Sequence, residues 1–333
     1  MKQSDNGIKL AIAGTGMTGA YLFRLLKKQD CDAHLYDRDL EHGCGIKPCA
    51  WGTSAGFVEL VEKAGLDAEK YILRHLDYVV IDEVRIKADL ITFDKPRLLK
   101  DLLKGAEIRL APVPIHRYDR VIDATGVCRA LLPAIKDDII MECCQYLIET
   151  KEPLANRIRL GGIGYAWCFP LSGSLYHVGC GSLLADPQQI LGELGWLENS
   201  SAHYEKKILC RCSGKIRLTG PHQSLPFVNG GCSEGVWGIG EAIGCVAPLA
   251  GDGIVPGMQS VQLLLESWDD PLKYKEAVLG KFCWMKNERG VIDKLRKAEG
   301  MGLRDALVLK KNSKRMGMQV GLREAVALLK NLG

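Results

Sequence analysis

The first apolar segment, Ile8-Lys9-Leu10-Ala11-Ile12-Ala13, is short and dense, which predicts a strand buried on both faces. It runs directly into Gly14-Thr15-Gly16-Met17-Thr18-Gly19, after which Ala20, Leu22, Phe23, Leu25 and Leu26 recur mostly on one helical face. Arg24, Lys27 and Lys28 fall toward solvent and the C-terminal end of that helix, where cations suit its dipole. Ala33-His34-Leu35-Tyr36 then predicts a second strand that stops at Asp37. Period-two alternation in Tyr78 to Ile91, Arg157 to Phe169 and Lys207 to Thr219 predicts an antiparallel sheet. Tyr118 to Gly126 and Gly235 to Gly244 each predict a strand ending in a polar, glycine-bounded turn. The second of these leads through Gly251-Asp252-Gly253-Ile254 into a helix that reaches Trp268. Residues 269–333 predict helices with Leu303, Leu307, Val320, Leu322, Val326 and Leu329 as apolar positions.

Strand, glycines, helix, second strand and terminal acid in this order predict a dinucleotide site. Gly14 permits the tight turn, Gly16 lets backbone approach a pyrophosphate, and Gly19 lets the helix sit close on the strand. Met17 and Thr18 open the helix whose free N–H groups face the phosphates, and Asp37 is placed for a ribose hydroxyl. FAD and nicotinamide folds share this opening, so later segments decide between them. Ala124-Thr125-Gly126 follows a strand returning to the first sheet, and Gly240-Glu241 supplies an acid for the ribityl hydroxyls. The helix starting near Gly253 would set its positive end against a reduced flavin ring. That repeated acid-then-glycine pattern favours FAD.

The elements together predict an α/β protein. A three-layer, Rossmann-like FAD-binding domain is assembled from residues 1–70, 97–128 and 219–268. An antiparallel-sheet substrate domain comes from 71–96 and 129–218, and a C-terminal helical region from 269–333.

Composition narrows the partners. With 44 basic and 40 acidic side chains the formal charge is +4, which gives no case for nucleic acid. Thirteen cysteines, odd in number and scattered, with no cleavable signal before Ile8, predict a reducing cytoplasm rather than disulfides. No Cys or His set has zinc-finger or cluster spacing, so no metal is expected. No apolar run is long enough to span a bilayer. The basic run Lys310-Lys311-Asn312-Ser313-Lys314-Arg315, beside leucine-rich helices, predicts peripheral contact with an anionic lipid surface.

Four stretches resemble the geranylgeranyl reductase family of flavoproteins. They are the fingerprint through Tyr36-Asp37-Arg38, Gly45-Ile46-Lys47-Pro48-Cys49, Tyr165-Ala166-Trp167-Cys168-Phe169-Pro170 with Val178-Gly179-Cys180-Gly181, and the Gly240 to Ile254 region. The chain departs from the family pattern in four places. Glu241 replaces the usual Asp, Lys95 stands near an expected Arg, Ala50-Trp51-Gly52 follows the cysteine, and the segment between Gly105 and Ile122 is short.

The resemblance implies a glutathione-reductase-type flavoprotein that saturates geranylgeranyl chains of a lipid or prenyl precursor. An isoprenoid or ether-lipid substrate is implied, with Arg38, Lys47, Pro48 and Cys49 among the residues beside FAD. Electrons would come from an external donor, ferredoxin-like or reduced nicotinamide, since no second nucleotide fingerprint is present. Tyr165, Trp167 and Phe169 alternate along one strand and share a face, as either a core face or a flat apolar site requires, with Pro170 ending the run. The resemblance implies a site. An isolated alkene accepts hydride only if the other carbon is protonated almost at once, so Cys49, Tyr165 or a trapped water is the expected acid. Rival readings are a flavin monooxygenase or halogenase, an electron-transfer flavoprotein to quinone, and a non-catalytic isoprenoid-lipid carrier.

Overall fold

The computed structural model describes residues 8–38, 49–54, 56–198, 206–230 and 235–332. The chain opens with β1 (Leu10–Ala13), α1 (Met17–Lys27) and β2 (Ala33–Asp37). After β3 (Gly52–Ser54) and α2 (Gly56–Lys63) comes a hairpin of β4 (Ile72–Ile81) and β5 (Val84–Phe93). α3 (Lys95–Leu102) returns it to β6 (Ile108–Leu110) and β7 (Arg120–Asp123). A long excursion follows through β8 (Ile140–Glu149), β9 (Arg157–Leu160), β10 (Tyr165–Pro170), β11 (Leu175–Ser182), α4 (Pro187–Glu193) and β12 (Lys207–Arg217). The remainder is β13 (Val228–Gly230), β14 (Gly235–Gly238), α5 (Ile254–Glu266), α6 (Pro271–Lys281), α7 (Cys283–Arg296), α8 (Leu303–Arg315), β15 (Met318–Gln319) and α9 (Leu322–Asn331).

Two sheets organise the α/β fold. The first has the order β13-β14-β7-β1-β2-β6 and is parallel except for the β13–β14 pair. β1 is buried along its whole length because β2 and β7 flank it and α1 lies against α5 above it. The second sheet runs β12-β8-β11-β10-β9-β4-β5-β15, with β3 added alongside β5. It is antiparallel apart from one junction, the parallel pairing of β4 with β9, which the alternation pattern does not reveal. β3 and β15, from segments assigned to other regions by sequence, also join this sheet through β5.

The apolar positions of the C-terminal helices divide between core and surface. Val320 and Leu329 are buried, but Leu303, Leu307, Leu322 and Val326 are exposed. The buried residues of α8 are Asp305, Ala306, Asn312 and Ser313, and the first and last of these polar groups are bonded. Asp305 caps its own helix at Gly302 N and pairs with Lys294 at 2.8 Å, and the Ser313 hydroxyl donates to Leu309 O. Among the described residues no helix is long and apolar enough to cross a membrane.

Candidate functional site

The three glycines of the first loop serve different ends. Gly14 has φ +100°, and a Cβ there would lie 2.4 Å from the Ala124 carbonyl oxygen, so only glycine makes this turn. A Cβ at Gly19 would lie 2.0 Å from the Gly14 carbonyl oxygen, so α1 rests on the loop itself rather than on the strand. A Cβ at Gly16, whose φ of −64° is ordinary, would meet nothing within 4 Å. The protein's own packing does not require that glycine. It keeps clear the space before the N-terminus of α1, which no side chain caps.

That space belongs to a cavity of about 800 Å³. The cavity runs from Tyr36, Asp37 and Arg38 past Gly14 to Thr18, and on to Tyr165, Trp167 and Phe169. Ala124, Thr125 and Gly126 line it, as do Cys49, Glu241, Gly251, Asp252, Gly253 and Ile254. Three predicted site residues do not. Gly19 packs on Gly14, Gly240 packs on Thr18, and Pro170 turns its carbonyl to the Thr92 hydroxyl at 2.9 Å. Lys47 and Pro48 lie outside the described residues.

Carboxylates hold the loops of this cavity in place. Asp37 accepts from Thr15 N at 2.7 Å and from the Thr15 hydroxyl, which clamps the glycine loop to the end of β2. Fully buried Asp123 accepts from Thr125 N and from Leu131 and Leu132 N, fixing the turn after β7. Glu241 is not a strand-end acid as expected. β14 stops at Gly238, and Glu241 sits in a 3₁₀ turn with its carboxylate accepting from Arg217 N at 2.8 Å. Arg217, 3% exposed, also reaches Asp138 and the carbonyls of Gly126, Val127 and Glu241, tying the two sheets together at the cavity.

Lys95, at the start of α3, is 8% exposed and lines the cavity without a hydrogen-bond or ion-pair partner among the described residues. A nearly buried cation left this way suits an anionic ligand. The indole Nε1 of Trp167, by contrast, is fully buried away from the cavity without a partner.

β10 presents Tyr165, Trp167 and Phe169 to the cavity on one face, as the alternation predicts. Trp167 pairs with Gly179 on β11, and a Cβ at Gly179 would be 2.3 Å from the indole, so glycine there lets the ring lie flat. Cys49 shares this cavity, next to a loop held by Trp51, whose ring packs edge-on against His177 at 4.6 Å. Burial pushes His177 down to about 4, so it is neutral near pH 7. The Tyr165 hydroxyl donates to Ala250 O, and burial pushes its phenol well above the usual range, so it holds its proton tightly.

A second, apolar cavity of about 140 Å³ adjoins the first. Leu76, Ile81 and Leu90 line it from the sheet, and Leu309, Met316 and Leu328 from the C-terminal helices. Gly52, Tyr165, Phe169, Ala250 and Asp252 line both cavities and form the wall between them. Two carboxyls face the apolar space. Asp252 accepts from Ile254 N at 2.9 Å and the Thr53 hydroxyl at 3.1 Å, and burial pushes it up to about 6. Glu288 on α7, 2% exposed, accepts from Leu249 N at 3.2 Å, and burial pushes it up to about 7.

Glu288 has a measurable consequence. Its folded pKa stands above its unfolded value, so its contribution to stability is full below about pH 4.5 and is lost as pH rises through about 7. Between pH 5.5 and pH 8 the loss is on the order of 2 kcal/mol. Thermal melts of Glu288→Gln should therefore decline less over this range than those of the wild type. Parallel curves would mean that Glu288 does not titrate there.

No protein-family model matches the chain. An uncharacterized protein of Methanocaldococcus jannaschii is 26% identical across 86% of this chain and 91% of its own length. Among solved structures, a geranylgeranyl bacteriochlorophyll reductase-like protein of Thermoplasma acidophilum superposes with a TM-score of 0.71 at 18% identity, covering 98% of this chain and 95% of its own. A tryptophan 6-halogenase of Streptomyces toxytricini gives 0.64 at 14% identity, over 98% and 90%. A probable FAD-dependent monooxygenase of Pseudomonas aeruginosa gives 0.57 at 14%, over 97% and 99%. The chain has the fold of these flavoproteins.

Proposed function

We propose that this protein is an FAD-dependent reductase that saturates carbon–carbon double bonds in isoprenoid chains of a lipid or prenyl precursor. The observation that carries the reading is the apolar cavity joined to the dinucleotide cavity at Tyr165, Phe169 and Asp252. A lining made almost wholly of apolar side chains suits a hydrocarbon chain.

The residues present fit FAD. The open backbone at Gly16, the uncapped start of α1 and the cation of Lys95 suit its phosphates, and Asp37 suits a ribose. The start of α5 at Gly253 would face the ring. When bound and reduced, FAD supplies the hydride. Trp167 and Phe169 exclude water around the alkene.

The acid is assigned to Asp252 rather than Tyr165. Tyr165 spends its proton on Ala250 O, whereas Asp252 lines both cavities and is raised close to neutrality, so it can hold a proton and release it. Thr53, bonded to Asp252, keeps the carboxyl aimed at the shared wall. Cys49 borders the same space and is the alternative donor. Electrons would arrive from an external carrier, ferredoxin-like or nicotinamide.

The test begins with an absorbance spectrum, followed by anaerobic reduction and addition of a geranylgeranyl lipid. Flavin bands that bleach and return as the lipid gains hydrogens by mass are expected. Rapid oxygen uptake with substrate hydroxylation would replace this reading with a monooxygenase. A protein that cannot be loaded with FAD would remove it.

A further inference from the structure

The formal charge of the whole chain is +4, yet residues 303–332 alone hold seven Lys and Arg against two acids, Asp305 and Glu324. The rest of the molecule is therefore close to neutral, and the basic character is concentrated on α8 and α9. Asp305 is buried against Lys294, so it does not offset the surface charge.

The placement of these cations is more informative than their number. At 100° per residue, Leu303, Leu307, Lys310, Lys311 and Lys314 fall within one face of α8, with leucines in its first turns and lysines in its last. All five are exposed, Leu303 at 62% and Leu307 at 48%. Lys310, Lys311 and Lys314 make no ion pair among the described residues. On α9, Leu322, Val326 and Lys330 form a second exposed face of the same kind. The opposite sides of both helices, through Leu309 and Leu328, line the apolar cavity, so the exposed sides look away from it.

Large apolar side chains held in water at helical spacing, beside unpaired lysines, match a surface that is apolar below and anionic at its face. A polyanion such as RNA would use the lysines and leave the leucines unexplained. We propose that the outer face of α8 and α9 is a docking surface for an anionic lipid bilayer, with Leu303, Leu307, Leu322 and Val326 entering the interface and Lys310, Lys311 and Lys314 meeting headgroups. The same two helices then separate the bilayer from the apolar cavity. That a lipid tail passes into that cavity rests on the function proposed above; the docking itself does not.

The experiment is cosedimentation of the full chain with vesicles of phosphatidylcholine alone and of phosphatidylcholine mixed with phosphatidylglycerol. Binding is expected only to the mixed vesicles and should weaken with salt. Reversing Lys310, Lys311 and Lys314 to Glu should lower the partition coefficient by about a hundredfold. Leu303→Ser with Leu307→Ser should lower it by at least about tenfold. Both sets sit on an exposed face, and unchanged melting curves would confirm folding.

Equal binding to both vesicle types, or wild-type binding by either variant, would overturn the proposal. So would binding to single-stranded RNA that the lysine variant loses and the leucine variant keeps, with no binding to vesicles. Vesicle binding is read on the oxidised protein without turnover. A protein that reduces lipid in detergent but ignores vesicles would retain the function and lose the docking surface, and a flavin-free protein that binds vesicles would do the reverse.

Discussion

Replacing Asp252 by asparagine is expected to lower kcat for alkene reduction by about a hundredfold or more while leaving flavin content unchanged. The amide oxygen can still accept from Ile254 N, so the start of α5 keeps its bond and only the transferable proton is lost. The wild-type rate should fall as pH rises through about 6, because the protonated acid is the active form and burial sets its midpoint there. In Asp252→Asn that dependence should be absent. A variant that turns over within a few-fold of the wild type and keeps the same pH arm would pass the acid role to Cys49. The Cys49→Ser variant then becomes the one that loses the rate.

The glycine loop offers the second large effect, as a contrast between neighbours. Gly19→Ala forces a Cβ against the Gly14 carbonyl, a backbone atom that cannot turn aside, and should cost about 3 kcal/mol or more of stability. Gly16→Ala meets no protein atom within 4 Å, so its melting temperature should stay near the wild-type value. Its affinity for FAD should nevertheless fall at least about tenfold, since the added methyl occupies space before the helix N-terminus. Melts of the flavin-free proteins and a titration by flavin fluorescence separate the two outcomes. Wild-type FAD affinity in Gly16→Ala would show that no phosphate approaches that position.

The loop was legible because its constraints are local. A positive φ at Gly14 and a helix resting on its own loop are set within six residues, and period-two spacing puts Tyr165, Trp167 and Phe169 on one face wherever β10 lies. The acids were not legible in the same way. Asp252 reads as a cofactor-facing residue of a glycine-bounded turn but not as an acid, because its partner Thr53 lies 199 positions away. Glu288, set between Lys286 and Arg289, reads as a solvated charge; only the packing of α7 on Leu249 buries it. Lys95 is marked in the sequence only by standing near an expected Arg; its burial at the cavity without a partner is a matter of packing.

The direction in which α8 faces is hidden for a related reason. Its apolar positions do not say which side is buried: polar Asp305, Asn312 and Ser313 enter the interior with bonds to Gly302 N, Arg315 and Leu309 O, leaving Leu303 and Leu307 outside. Hydrophobic pattern records preference for burial, and a helix whose inward side is narrow and hydrogen-bonded can defeat that preference.

The order of strands in the first sheet also bears on how the protein is made. As the nascent chain leaves the ribosome, β1 must wait for β7, about a hundred residues later, and β7 waits as long again for β14. α1 waits longest, because α5 supplies the helix it packs against and Gln262 the partner for its Tyr21 hydroxyl, at 3.3 Å. Until residue 266 is out, the surface of α1 that includes Thr18 and Tyr21 is held in water beside unpaired strand edges. Chaperone demand during synthesis should therefore be high, and ribosome-stalled chains ending near residue 128 should remain open to protease while those extending past Trp268 do not.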